Sequence, residues 1–357
     1  MSYPPRPGRH AAQTKKRSTT VEENVNKHLG GFLIAVALAV GIAATSAQAK
    51  TKLRLAVGDP IGSAVGLTAQ DFAKRVDAAT GGKVAIEVFA DGVLFGGDQN
   101  AAVNMLQNGV LDAVILSTSV YASFDSCMNA ISLPYLFRDY DQFAAYLKGE
   151  PGRKLLASLD RLNTRGLALM IRTFRHVTNS KRPIVEPDDL KGLKLRVPNN
   201  KLWVEFFGPL GANPTPMDFK EVYTALQLRT IDGQENPVEV PLANKFYEVQ
   251  SYISLTGHLS DGYILAMNKG KWNTLDAGTQ EALGKAALET ADFKFNHDIA
   301  EENRIVAELE KKGMRVNRLS PEQRAAFRTK ALGLYPNFEA LIGAECMAEA
   351  IKFAETN

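Results

Sequence analysis

Cysteine and histidine are scarce in this 357-residue chain, which holds two of the former and five of the latter. The histidines His10, His28, His176, His258 and His297 form no close-spaced pair. There is no HExxH, no GxxxxGK phosphate cradle and no GxSxG elbow, so nothing points to catalysis, to a metal or to a cofactor. Cys127 and Cys346 lie far apart in sequence. An oxidising compartment would permit their pairing, but two cysteines make no framework, and buried free thiols are the expectation. An excess of one charge is missing too. The formal +3 comes from the first 49 residues, which carry six Lys or Arg against two acids; the remainder has 36 basic and 37 acidic residues. That balance argues against a nucleic-acid partner, whose phosphates demand a basic surface.

Long apolar runs are confined to the start. A basic, polar stretch precedes LGGFLIAVALAVGIAATSA and the small-residue ending Ala47-Gln48-Ala49. Residues 1–49 therefore read as a signal peptide cut before Lys50, which places the mature chain in the periplasm. An uncleaved anchor is the competing reading, because the apolar run approaches the ~17–25 residues that span a bilayer. No later run has that length, and the mature chain is expected to be soluble. Its size suits two domains at ~100–200 residues each.

From Lys52 strands and helices alternate. LRLAVG reads as a strand, Ala64 to Ala79 as a helix stopped at Gly81-Gly82, VAIEVFA as a strand, the segment after Asp98 as a helix, and LDAVILS as a third strand. This βαβαβ order implies a parallel sheet, with ligands bound beyond the carboxyl ends of its strands. Those ends are Gly58-Asp59, Asp91-Gly92 and Ser117-Thr118-Ser119. Residues 141–162 are expected to be helical. LALMIRTFR then crosses into a second lobe, and Tyr252–Gly257 and Gly262–Met267 lead back. A single helix is expected from Asp276 to Gly313, long enough at 1.5 Å per residue to lie across both lobes. Ser320-Pro321-Glu322 looks like a cap opening a final helical region.

The most informative stretch runs from Arg175 to Asn236. LALMIRTFR and LKLRVP each deliver an arginine, Arg175 and Arg196, on a strand-like apolar run. A half-buried guanidinium needs a partner, and its forked donors match a carboxylate two-to-two. The succession RHVTNSKRPI, DLKGLKLRVP, GANPTPM, FKEVYTALQ and IDGQENP resembles the solute-binding proteins of tripartite ATP-independent periplasmic (TRAP) transporters, over nearly the whole mature chain. The resemblance implies an α/β fold of periplasmic binding protein type, with two α/β lobes joined by a hinge and a long helix along both. The first lobe would hold residues 50–172 plus about 261–300, and the second 173–260 plus about 301–357. It also implies a carboxylate-bearing solute held by Arg196 and by Asn236 of the IDGQENP turn, with Arg175 as a second contact and Phe219 packing on the ligand. The partners implied are TRAP membrane subunits.

Each position also has a plainer reading. Arg196 could be a surface arginine, Arg175 a salt bridge to Glu186, Asp188 or Asp189, Asn236 a residue bonding its own turn, and Phe219 core. Ser117 and Ser119 would give the first lobe a hydroxyl wall, suited to a hydroxylated or sugar-derived monocarboxylate. Arg172 reads as a solvated strand residue rather than a cation for a second carboxylate, Trp203 as packing, and His176 as a hinge hydrogen bonder. Two alternatives to transport are a binding protein that feeds a signalling receptor and an exported enzyme acting on acidic sugars; no matched acid/base pair supports the second.

Overall fold

The computed structural model describes residues 50–357; the signal peptide expected over residues 1–49 lies outside the described residues. Five strands form a first sheet: β1 (Thr51–Val57), β2 (Val84–Phe89), β3 (Ala113–Ser117), β4 (Thr164–Ile171) and, from much later in the chain, β10 (Gly262–Asn268). Six form a second: β5 (Arg175–Asn179), β6 (Lys194–Val197), β7 (Asn213–Pro216), β8 (Gly233–Asn236), β9 (Tyr252–Leu259) and β11 (Arg315–Arg318). The orders are β2-β1-β3-β10-β4 and β11-β9-β5-β8-β6-β7. β1 pairs parallel with β2 and β3, as the alternating pattern predicts, but β10 enters antiparallel between β3 and β4. The first sheet is therefore mixed, because the chain leaves it through β4 and re-enters it through β10.

The helices start where side chains can accept orphan backbone N–H groups. Ser63 accepts from Gly66, Asp98 from Ala101 and Asp276 from Thr279. Ser320 opens the helix Pro321–Gly333 with a full capping box to Gln323. The helix Ala277–Lys311 is unbroken over 35 residues, or roughly 50 Å at 1.5 Å per residue. Its first half buries Leu283, Ala286 and Ala287 with the first sheet, and its second half buries Ile305, Val306 and Leu309 with Leu255 and Ile253 of the second. It thus spans both lobes. Two further connections join them, Arg172–Phe174 between β4 and β5, and Ser260-Asp261 between β9 and β10.

LALMIRTFR crosses between the lobes as expected, and does so as two strands in two sheets, because the chain breaks pairing at Arg172–Phe174. Three sequence expectations are corrected. IDGQENP is no turn: Gly233–Asn236 is β8, wholly buried between β5 and β6. Gly233 is there for close approach, since a Cβ would sit 2.2 Å from the carbonyl oxygen of Thr178. ANPTPM contains β7, an edge strand beside β6, where its two prolines cost no ladder bond. The cysteines are not free thiols: Cys127 and Cys346 form a disulfide, with Cα atoms 5.6 Å apart. The bond closes because the last helix, Ala344–Thr356, packs on the short helix Ser126–Ser132, which carries Cys127. That helix also meets the first lobe through Gln142 to the Ala354 carbonyl and Lys154 to Glu349, whereas the sequence reading carried the second lobe through residue 357. Among the described residues no helix is long and apolar enough to cross a membrane.

Candidate ligand-binding site

Both lobes and the first hinge connection contribute to one small cavity. Ser117, Ser119 and Asp59 face it from the first lobe, and Arg196, Phe219 and Asn236 from the second. Arg172 and Arg175 face it from the first crossing. The lobes are drawn together around it. Asn200 donates to the Ser119 carbonyl at 3.0 Å and to Asn129 Oδ1 at 2.8 Å, and Lys220 Nζ reaches the Gly96 carbonyl at 3.1 Å. Gly97, with φ of 76°, leaves room for the Lys220 stem.

Three buried arginines meet here, and they are satisfied very differently. Arg175, 2% exposed, opens β5. Its Nε and Nη2 each lie 2.6 Å from the two carboxylate oxygens of Glu235 on β8, and its Nη1 donates to Asp261 at 3.2 Å. Its guanidinium rests 5.5 Å from the ring of Trp203, which is fully buried. Arg172 donates through Nη1 to Asp261 at 3.0 Å and through Nη2 to Asn236 Oδ1 at 3.3 Å, and it lies 4.6 Å over the Tyr263 ring. Burial opposes its charge, but Tyr263, Asp261, Glu239 and Asp59 outweigh that and hold it above the ordinary arginine value.

Arg196, 4% exposed on β6, has no carboxylate against it among the described residues. Its Nε and Nη2 both donate to the Met217 carbonyl, at 3.1 and 2.7 Å. Phe219 lies across its face at 5.8 Å. The end-on edge formed by Nη1 and Nη2, the one that grips a carboxylate two-to-two, has no acceptor from the described residues. Burial, opposed by Glu235 and deepened by Arg175, pushes this guanidinium down to about 10. A cation so desolvated is stabilised by an incoming anion.

The carboxylates are tuned to match. Burial would raise Glu235, but Arg175 and then His258 reverse this and hold it down to about 2. Asp261 accepts from six donors: the hydroxyls of Thr118 and Ser119, the N–H groups of Ser119 and Gly262, and Nη1 of Arg172 and Arg175. With the Arg172 N–H donating to the Asp261 carbonyl at 3.2 Å, it fastens the two crossings and the β3 end together. Asp59 is raised by burial and lowered in turn by Arg172. The Nδ1 of His176 accepts from the Gly257 N–H at 3.0 Å, and burial lowers its pKa, so this ring braces the back of the hinge.

Comparison with known proteins names the architecture. The family model described as bacterial extracellular solute-binding protein, family 7, matches residues 58–341. This chain belongs to that family. The 2,3-diketo-L-gulonate-binding periplasmic protein of Escherichia coli is 34% identical over 295 residues, covering 82% of this chain and 88% of that protein. Among solved structures, the sugar acid binding protein of Advenella mimigardefordensis in complex with galactonate has a TM-score of 0.82 at 30% identity, covering 86% of this chain and 98% of that one. The TRAP periplasmic solute-binding protein of Sulfurospirillum deleyianum with bound succinate has a TM-score of 0.79 at 27% identity, covering 84% and 98%.

This solute-binding protein gathers all six residues singled out in the sequence, Arg196, Asn236, Arg175, Phe219, Ser117 and Ser119, around its cavity. Of the three first-lobe strand ends, Gly58-Asp59 and the serines face it and Asp91-Gly92 does not. Arg175 does form a salt bridge, to Glu235 and Asp261 rather than to Glu186, Asp188 or Asp189. Arg172 is corrected: it is 5% exposed and lines the cavity, because the strand ends at Ile171 and the side chain turns into the hinge. Sequence reasoning missed Asp261, Glu235 and Tyr263. Ser-Asp-Gly has the composition of a turn, and a glutamate inside Gly-Gln-Glu-Asn carries no hydropathy signal that marks it as buried.

Proposed function

We propose that this protein captures an organic acid in the periplasm and delivers it to TRAP membrane subunits, with the ligand carboxylate seated on the Nη1–Nη2 edge of Arg196. The observation that carries the reading is that edge: a buried guanidinium whose side edge is held by Met217 and whose end edge lacks an acceptor. Asn236, on the adjacent β8, supplies a second polar contact, Phe219 covers the clamp, and Arg175 stiffens the floor through Glu235. Relatives of known structure hold galactonate in one case and succinate in another, and an acid is the feature those ligands share. Closure follows from geometry. A ligand held between Arg196 on one lobe and the β3 end on the other binds the shut form better than the open one, and shifts the population towards it by that difference. The leader expected over residues 1–49 would take the chain to the periplasm.

A thermal-shift screen of the chain beginning at Lys50, against organic acids and their amides, tests the clamp. Acids that bind the folded state raise the melting temperature by mass action, and the amides are expected to leave it unmoved. Equal shifts from the neutral analogues would sink the reading.

A further inference from the structure

The charges around the cavity limit the ligand more narrowly than the clamp does. Three arginines, Arg172, Arg175 and Arg196, are buried at its wall. Two of them are already neutralised from behind: Glu235 takes Arg175 two-to-two, and Asp261 takes an Nη1 from both Arg175 and Arg172. One positive charge is left over, and it sits on Arg196. The Lys294–Asp298 pair behind the hinge is balanced within itself. The other ionisable groups on the cavity wall are an acid, Asp59, and the phenol of Tyr263, which burial keeps neutral. A second carboxylate would be moved out of water to meet Arg172, whose charge Asp261 already offsets although its Nε has no partner among the described residues, and a carboxyl group of its own kind.

The polar groups at the first-lobe wall have a definite direction. The Ser119 hydroxyl donates to Asp261 Oδ2 at 3.1 Å, so in its 2.8 Å contact with Ser117 it accepts, and Ser117 donates. The Ser117 oxygen is left with lone pairs alone to offer the cavity. Asp59 also presents acceptor oxygens. These acceptors take ligand hydroxyls, which donate, and repel a carboxylate, which only accepts; the Gln99 amide on the same wall can donate but brings no charge to hold one.

Building on the clamp at Arg196, we propose that the site selects a hydroxylated acid bearing a single negative charge, and that Asp261 sets this limit by cancelling Arg172. Asp261 is a positioning and charge-setting residue, two steps removed from the ligand. Removing its charge while keeping its shape would free Arg172 for a second carboxylate.

Calorimetry with matched acids tests this. The probes are an aldonate, the aldarate of equal chain length, whose far CH2OH is a carboxylate, and the monoamide of that aldarate, which restores the single charge at nearly the same size. The expected order in the unmodified protein is aldonate at least tenfold tighter than aldarate, with the monoamide recovering most of the difference. Asp261→Asn is expected to narrow or invert the aldonate-to-aldarate ratio, whereas a merely structural role would weaken both alike and leave the ratio fixed. An aldarate that binds the unmodified protein as tightly as the aldonate overturns the proposal, whatever happens to the variant, and leaves the Arg196 clamp standing. Failure of every acid to bind overturns the clamp and this inference together.

Discussion

Arg196 on β6 and Arg175 on β5 are the same residue, buried to the same degree and facing the same cavity, yet their surroundings assign them opposite work. Arg175 is locked by Glu235 and Asp261 and floored by Trp203. Arg196 is held by one backbone carbonyl and leaves its gripping edge open. Burial alone therefore says nothing about role; the inventory of partners does. A saturated buried cation is part of the scaffold, and a half-satisfied one is a receptor.

The comparison can be broken most forcefully by removing each arginine in turn. Arg175→Met leaves Glu235 and Asp261 as buried anions short of a partner, and is expected to cost about 3–5 kcal/mol of folding stability, read by denaturant melts. Arg196→Met removes a desolvated cation at the expense of one carbonyl's bonds, and is expected to leave the ligand-free protein within about 1 kcal/mol of the parent. Its loss should appear in binding, at roughly 2–5 kcal/mol. If the two variants exchange these phenotypes, the division of labour drawn here is wrong.

A second pair sharpens the lesson with buried glutamates of opposite sign. Glu235 is held down to about 2 from an ordinary 4.5, so its contribution is full above 4.5 and is lost as pH falls from there towards 2. Glu239 stands across the hinge, and Thr173 donates to one of its oxygens at 3.3 Å, while the other has no partner among the described residues. Burial is the largest influence on it and Asp298 acts with burial; Arg172 and Lys294 oppose them, and the group is raised from 4.5 to about 7. Between those values the folded state binds the extra proton, so stability falls as pH rises through the window, by at most about 1.4 kcal/mol per pH unit. Glu239→Gln should flatten that slope in melts taken from pH 4.5 to 7.5 while leaving the acid limb below 4.5 unchanged. A slope that persists in the variant assigns it to another group.

The smallest effect concerns closure. Lys220→Ala removes the reach to Gly96 across the cleft mouth. Because that bond is exposed, the expected loss is about 0.5–1 kcal/mol of ligand affinity, carried by faster dissociation. A stopped-flow change confined to the association rate would show that Lys220 steers the ligand instead of latching the lobes.

These contrasts also mark where the sequence could be read. Element order, the caps at Ser63, Asp98, Asp276 and Ser320, the unbroken long helix and the six cavity residues were legible, because periodicity, capping chemistry and family motifs are local signals. The hinge network was not. Arg172 looks like the end of an apolar run until the chain is seen to leave the sheet at Ile171, and Asp261 draws its six donors from three separate stretches of sequence. The disulfide was hidden for the same reason: 219 residues separate its halves, and only the packing of the last helix decides their meeting. The polar strand Gly233–Asn236 defeats hydropathy outright, since it is buried on both sides and stabilised by side-chain pairing.

The order in which the chain visits the two lobes has a consequence for synthesis. The first sheet lacks an inner strand until residue 268 is available, and the disulfide that secures its outer face needs residue 346. The first sheet is incomplete in an N-terminal fragment that stops short of residue 268, and the second in one that stops short of residue 318. A growing polypeptide of this topology therefore holds unpaired strands of its first sheet until most of the chain has been made.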